Sequence, residues 1–273
     1  MNHDGKEVVY VSPAALTGCI AFALAPIFSL FRVELAIIPL AAFVFLCMAA
    51  PFFPSRGFFL PVFSRGQTGR PVVSLTFDDG PDPETTRPLL QLLERHAAKA
   101  AFFVTGERAA QYGDLILEIT DHGHDIGNHS YSHDPLLMLR RSETLYREIE
   151  SAQTVLGGFG IVPAAFRPPV GVTSPRLHQA LLRQGMFCAT FSCRAYDGGN
   201  RYIRGLSRRI LKKVNPDDVI LLHDVKPKGK MKADFWLHEI ELILSGLKDK
   251  GLQVVPLSDL LGKRVMGRTN AAQ

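Results

Sequence analysis

Hydrophobic and polar positions divide this chain into two regimes. Between residues 11 and 54 the only charged side chains are Arg32 and Glu34, and they separate two apolar runs, 11–31 and 35–54. Each run is about the ~20 residues that a helix needs to cross ~30 Å of hydrocarbon. A single helix over both would be far too long, so the pattern predicts a two-helix transmembrane hairpin turning at 32–34. Pro26, Pro39 and Pro51 fall inside the runs, which a membrane tolerates where neighbours satisfy the freed carbonyls. A cleaved signal peptide fits less well, because it has a shorter apolar core after a basic start, whereas residues 1–10 mix His3, Asp4, Lys6 and Glu7. A buried hairpin of a soluble protein is the other reading, and run length with charge depletion favours the membrane.

After residue 70 the period changes. Short β-rich runs at 72–77, 100–105, 125–128, 164–167, 186–192, 219–222 and 253–256 alternate with amphipathic stretches at 84–98, 107–122, 142–156, 174–184, 202–214 and 235–250. Strand followed by helix, about seven times, predicts an α/β domain with a parallel sheet and helices outside it. Between the regimes, Gly57, Pro61, Gly66 and Gly69 break up a Phe-rich stretch that reads as an interfacial linker. The expected organisation is therefore a membrane hairpin at 1–54, a linker at 55–70, a catalytic domain at 71–262 and a tail at 263–273.

Periodicity alone leaves the sheet open or closed. The polar residues weigh in, because Asp78, Asp79, His129, His133, Arg167, Asp197 and His223 all fall at or just beyond the C-terminal ends of the strand runs. Barrel active sites collect there, and many strand ends converge on one point only when the sheet closes or nearly closes. The expectation is an irregular (β/α)7-type barrel.

Composition changes this picture little. The net charge of +5 is spread along the chain with no basic helix or aromatic-interleaved patch, so nucleic acid is not an expected partner. Of four cysteines, Cys19 and Cys47 lie in the apolar runs. Cys188 and Cys193 share one strand run on opposite faces and are not expected to bridge; free thiols fit a reducing compartment. Lys and Arg flanking the spans (Lys6, Arg56, Arg65, Arg70, against Arg32 at the tip) place both termini, and with them the catalytic domain, on the cytoplasmic face of the inner membrane.

The candidate chemistry sits in five short segments. Thr76-Phe77-Asp78-Asp79-Gly80-Pro81 ends the first strand with two adjacent carboxylates, which repel unless a cation neutralises one; a helix N-cap cluster is the bland alternative. His129-Ser130-Tyr131-Ser132-His133 puts two imidazoles on one face if the segment is helical, and with one carboxylate they make a metal set with open positions. Arg167-Pro168-Pro169-Val170-Gly171 is a stiff loop ending in a residue free to approach a ligand. Asp197 and the Leu221-Leu222-His223-Asp224 strand end complete the set.

In order and in kind these segments resemble the polysaccharide deacetylase family, the carbohydrate esterase group that includes chitin, chitooligosaccharide and peptidoglycan N-acetylglucosamine deacetylases; the resemblance runs from residue 71 to about 261. It implies Asp78 as general base and Asp79, His129 and His133 as ligands of a divalent metal, most often Zn2+. It further implies Arg167 as the residue orienting the base with Asp197 as its carboxylate partner, His223 as general acid, and the backbone N–H of Val170 as oxyanion donor. The chain departs from the family where Val170 replaces an aromatic, Gly198 replaces a Trp, and Arg194 stands where many members carry Asp, which alters the groove that packs the sugar. The expected activity is removal of an acetyl or acyl group from an N-acetylated amino sugar, carried as a glycolipid at the membrane. The alternatives are a polymeric peptidoglycan or exopolysaccharide substrate outside the cytoplasm, and a non-catalytic glycan-binding protein.

Overall fold

Two helices lead the chain. In the computed structural model, which describes residues 10–229 and 232–269, α1 (Pro13–Ser29) begins at Ser12, whose hydroxyl accepts from the N–H of Ala15, with Pro13 in the first turn where no donor is needed. The chain turns at Leu30–Phe31 and returns through α2 (Ile37–Ala49). Gly18 lies against the Phe43 ring, where an added Cβ would sit 3.1 Å from the ring edge, so a small residue sets the approach of the pair. Counting its flanking 3-10 turns, the second helical stretch runs Val33–Phe52 over 20 residues and is long and apolar enough to cross a membrane. The first, at 17 residues, is shorter than the 11–31 run suggests.

The catalytic part comprises β1 (Val62–Phe63), β2 (Val72–Asp78), α3 (Thr86–Arg95), β3 (Ala101–Val104), α4 (Gly106–Gln111), α5 (Gly113–Asp121), β4 (Asp125–Asn128), α6 (Ser142–Gly157), β5 (Ile161–Pro163), β6 (Ala165–Phe166), α7 (Pro175–Arg183), β7 (Phe187–Ala189), β8 (Cys193–Arg194), α8 (Leu206–Leu211), β9 (Val219–His223), α9 (Ala233–Asp249), β10 (Gln253–Val254), α10 (Leu257–Leu261) and β11 (Met266–Arg268). The main sheet is parallel and runs β1-β7-β6-β4-β3-β2-β9-β8, with β10 also on β2. It is a curled parallel sheet with helices outside. The expected irregular (β/α)7-type barrel is corrected in one respect: β7 and β8 are two halves of one segment, the first paired with β6 and the second with β9. The strand read at 186–192 therefore breaks in its middle, and no continuous ladder joins the two edges among the described residues.

Alternation along the strands decides what faces the centre. Val73, Leu75 and Phe77 of β2, Phe102 and Val104 of β3, and Ile220 and Leu222 of β9 share one large core with Leu89, Leu93, Trp236 and Ile240 of the outer helices. The intervening residues Val72, Ala101, Phe103, Val219 and Leu221 form a separate inner cluster with Ala165 and Ala189. Side chains two apart on a strand share a face, so Thr76 and Asp78 follow Val72 inward and His223 follows Leu221. The β2–β9 register sets Asp78 opposite His223.

Two further departures concern the ends of the domain. Residues 55–70 are not a free linker: β1 joins the sheet beside β7, Leu60 is 1% exposed, and Phe59 and Ala50 share a core with Phe166 and Leu177. Asp217 ties the same stretch down by accepting from the Thr68 hydroxyl and the N–H groups of Thr68 and Gly69. Beyond residue 262, β11 pairs antiparallel with β5, extending the folded chain into the expected tail, whose last residues 270–273 lie outside the described ones. Cys188 and Cys193 are buried and free, in different cores.

Candidate active site

The mouth of the curled sheet gathers the strand ends around a cavity of about 500 Å³, lined by Asp78, Asp79, His129, His133, Val170, Asp197 and His223 among others. Asp78 is the last residue of β2, and Asp79 takes a left-handed backbone (φ 71°), a conformation that Asp adopts more readily than most residues. The turn is completed by Gly80, where a Cβ would sit 2.8 Å from the Asp224 carboxylate. Both carboxylates thus reach one cavity, although neighbours on a regular strand would face opposite ways.

Asp79, His129 and His133 offer one ligand atom each, all within 4.8 Å of one another. The Asp79 Oδ1 lies 3.3 Å from His129 Nε2 and 3.1 Å from His133 Nε2. His129 is buried and its Nδ1 donates to the Arg167 carbonyl at 2.7 Å, which fixes the tautomer and leaves the Nε2 lone pair facing the carboxylate. Burial alone would raise the Asp79 pKa, but the hydrogen bond and charge of His129, with the charges of His223 and His133, hold it below the usual carboxylate range. Two imidazole nitrogens and one ionised carboxylate oxygen, opening on the cavity, fit a divalent cation.

The two histidines do not share a helix face. Residues 129–133 form an irregular turn in which Ser130 and His133 both have positive φ (63° and 55°), and the rings meet with centroids 5.0 Å apart. What shapes the turn is a residue that sequence inspection does not single out: Glu148 on α6 accepts from the N–H groups of Tyr131 and Ser132 and from the Ser132 hydroxyl. Asn128 adds its Oδ1 as acceptor for the Ser130 N–H. Glu148→Gln is expected to weaken cation affinity about 10- to 100-fold, the usual cost of losing an outer partner of a metal site, as read by a chelator competition titration.

Arg167 is fully buried beneath this pair. Its Nη1 donates to Asp78 Oδ1 at 2.6 Å and to the Thr76 hydroxyl at 2.7 Å, while Nη2 and Nε donate to the carbonyls of Thr190 and Ala189. The guanidinium lies 3.9 Å from the Phe103 ring centroid, a cation–π contact. Burial draws its pKa down against the charge and hydrogen bond of Asp78.

The expected pairing of Arg167 with Asp197 is corrected here: the carboxylate on Arg167 is Asp78, and Asp197 belongs to His223. Asp197 Oδ2 lies 2.8 Å from His223 Nδ1. Asn200 donates to the His223 carbonyl at 2.9 Å. The alignment of Arg194 with Leu221 in the β8–β9 register carries the loop after β8 towards the end of β9. Burial pushes the His223 imidazolium down, but the hydrogen bond and charge of Asp197, followed by the charges of Asp79 and Asp78, lift its pKa to about 9. Val170 completes the set with φ 52°, uncommon for a β-branched residue, and its N–H donates to no protein acceptor among the described residues.

With the geometry in hand, similarity to known proteins becomes decisive. The sequence profile described as polysaccharide deacetylase matches residues 65–189, and a chitooligosaccharide deacetylase of Azorhizobium caulinodans is 32% identical over 197 residues, covering 68% of this chain and 92% of that protein. The chain belongs to the polysaccharide deacetylase family. Polysaccharide deacetylases are hydrolases of the N-acetyl amide bond of amino sugars. The peptidoglycan-N-acetylmuramic acid deacetylase PdaC of Bacillus subtilis is 31% identical over 69% of this chain, but the match spans only 38% of that longer protein. Among solved structures, the Bc1960 peptidoglycan N-acetylglucosamine deacetylase superimposes with a TM-score of 0.67 at 29% identity, over 75% of this chain and 94% of the other.

Proposed function

We propose that this polysaccharide deacetylase is a divalent-cation-dependent N-deacetylase of an N-acetylated amino sugar carried on a membrane lipid, with zinc as the cation. The observation that carries the chemistry is the placing of two separately anchored acid–base groups, Asp78 on Arg167 and His223 on Asp197, around one Asp-His-His set. When bound by Asp79, His129 and His133, the cation supplies Lewis acidity towards the amide carbonyl and acidifies water near neutral pH. Asp78, held in place by Arg167, takes a proton from the water whose oxygen adds to the acyl carbon. The Val170 N–H donates to the carbonyl oxygen as negative charge develops on it. His223 delivers a proton to the sugar nitrogen as the C–N bond breaks, leaving acetate and a free amine.

The membrane part of the proposal rests on the apolar surface of the hairpin: Phe22, Leu30, Phe31, Val33, Phe45 and Met48 are all well exposed, and large exposed apolar patches mark membrane or interaction surfaces. The charge bias of the flanks supports a cytoplasmic catalytic domain. A polymer substrate is the second reading, supported by the names of relatives that act on peptidoglycan or chitooligosaccharide.

Acetate release by the full chain in detergent, with zinc and after chelation, distinguishes them. Cation-dependent release from a polyprenyl-phosphate-linked N-acetyl sugar is expected; release from peptidoglycan or chitin oligomers alone would favour the polymer, and release from neither would refute the deacetylase. The pH profile supplies a separate check. A general acid must be protonated, so activity is expected to persist through neutral pH and fall as pH rises through about 9, where His223 loses its proton. In Asp197→Asn the largest raising influence is gone and burial remains, so the alkaline limb of kcat/KM is expected to move to lower pH, towards or below the ordinary imidazole value.

A further inference from the structure

We propose that Arg194 and Lys213, flanking the Tyr196 ring, form a subsite for the phosphate of a lipid-linked amino sugar, and that Phe52 and Phe53 receive the start of its lipid; this rests on the deacetylase reading above and specifies how its substrate is held. A second cavity, of about 270 Å³, lies against the catalytic one. Its wall includes Phe52, Phe53, Arg194, Tyr196 and Lys213, and Phe191, Arg194 and Tyr196 border both spaces. The combined groove therefore runs from the cation-binding mouth to the end of the apolar stretch Val33–Phe52.

The charges in that groove are unevenly committed. The mouth's carboxylates are engaged, Asp78 with Arg167, Asp79 with the two histidines and Asp197 with His223. Arg194 and Lys213 pair with no carboxylate among the described residues. Instead the Arg194 guanidinium lies 4.2 Å from the Tyr196 ring centroid and 5.3 Å from that of Phe191, and the Lys213 ammonium lies 4.9 Å from the same Tyr196 ring. The two rings position the Arg194 side chain beside the groove, and a guanidinium can bind phosphate oxygens with two parallel hydrogen bonds. Its backbone is fixed by strand pairing with Leu221. The Tyr196 backbone is held at φ 56° with the ring 64% exposed, an outlier of the kind that marks ligand-binding loops.

The sequence of surfaces matches one chemistry. A neutral N-acetyl sugar fills the catalytic mouth, an anionic linkage next to it meets two unpaired cations, and an apolar chain beyond meets Phe52 and Phe53, exposed by 76% and 58%. Two cations between a polar mouth and an exposed aromatic pair at the end of an apolar helical stretch suit the phosphate of a lipid-linked sugar, and a neutral polymer would make no use of them.

The test uses the full chain in nanodiscs with three substrates bearing the same N-acetylated sugar: a farnesyl phosphate, a farnesyl glycoside without phosphate, and a sugar 1-phosphate without lipid. The farnesyl phosphate is expected to have the highest kcat/KM. In the double variant Arg194→Gln/Lys213→Gln the ratio of its kcat/KM to that of the farnesyl glycoside is expected to fall about 10- to 100-fold. In Phe52→Ser/Phe53→Ser the advantage over the sugar 1-phosphate shrinks. An unchanged ratio in the double cation variant overturns the subsite.

Binding of farnesyl phosphate, farnesol and inorganic phosphate to the Asp78→Asn chain, read by calorimetry, separates this result from any failure of catalysis. Farnesyl phosphate alone is expected to bind, and the cation variant to lose it. No acetate from any substrate, with this binding pattern intact, overturns the deacetylase reading and supports the subsite. Equal binding to both chains overturns the subsite whatever the turnover. Competition by an anionic glycan polymer that is insensitive to Phe52→Ser/Phe53→Ser overturns the lipid assignment.

Discussion

Asp78→Asn is expected to lower kcat for acetate release by about 10²- to 10⁴-fold, the range in which a positioned general base contributes, while cation affinity stays within a few-fold of the parent. The separation follows from the geometry. Asp78 Oδ1 is occupied by the Arg167 guanidinium at 2.6 Å, and the amide oxygen of Asn can keep that bond. The three atoms grouped for the cation come from Asp79, His129 and His133, without Asp78. A steady-state assay at saturating zinc, beside a metal titration of the same preparation, reads both quantities. Loss of both together would make Asp78 a ligand rather than a base, and an unaltered kcat would remove it from proton transfer.

Arg167→Met is expected to cost about 3–5 kcal/mol of stability, the penalty for breaking one side of a buried ion pair, and to abolish turnover. Arg167 is 0% and Asp78 4% exposed, so the abandoned carboxylate is left largely desolvated. The Thr76 hydroxyl and the carbonyls of Ala189 and Thr190 lose their donor as well. Thermal unfolding in detergent is expected to shift down by roughly 10 °C, as this energy implies for a domain of about 200 residues. Adding Asp78→Asn to this variant removes the stranded charge, so the double variant is expected to be more stable than Arg167→Met alone. If the second change lowers stability further, the pair is not coupled as described.

Much of this site was legible because its residues travel in short segments at strand ends. Thr76 to Pro81, His129 to His133 and Arg167 to Gly171 each announce themselves locally, and alternation along β2 and β9 is enough to turn Asp78 and His223 to the same face. Partnership was less legible than membership. The family resemblance implies Asp197 as the partner of Arg167; the β8–β9 register sends it to His223 instead. Glu148 left no signal, since a glutamate on an amphipathic helix looks like any solvated charge until the turn it caps is folded against it. The helical reading of His129 to His133 failed because spacing of four is ambiguous, and the turn depends on Ser130 and His133 accepting left-handed backbones.

The same balance holds for the fold. Strands with four or more apolar residues are legible close to their true limits, as with β2 and β9. β1, β5 and β11 have two or three residues each, too few for any period to show, and β5 and β11 contain Pro163 and Gly267, which argue against a strand. The Phe-rich stretch before β1 carries composition suited to a bilayer surface, and only packing reveals Leu60 in a protein core.

The break between β7 and β8 has a consequence for how the molecule becomes active. Residues 187–194 lean on β6 at one end and β9 at the other, and the carbonyls that receive Arg167 belong to Ala189 and Thr190, at the seam. A nascent or partly opened chain in which this seam has not shut offers Arg167 fewer anchors and leaves Asp78 unaimed. Topological completion and catalytic competence thereby coincide, so a chain whose seam is open is expected to be inactive towards amide bonds.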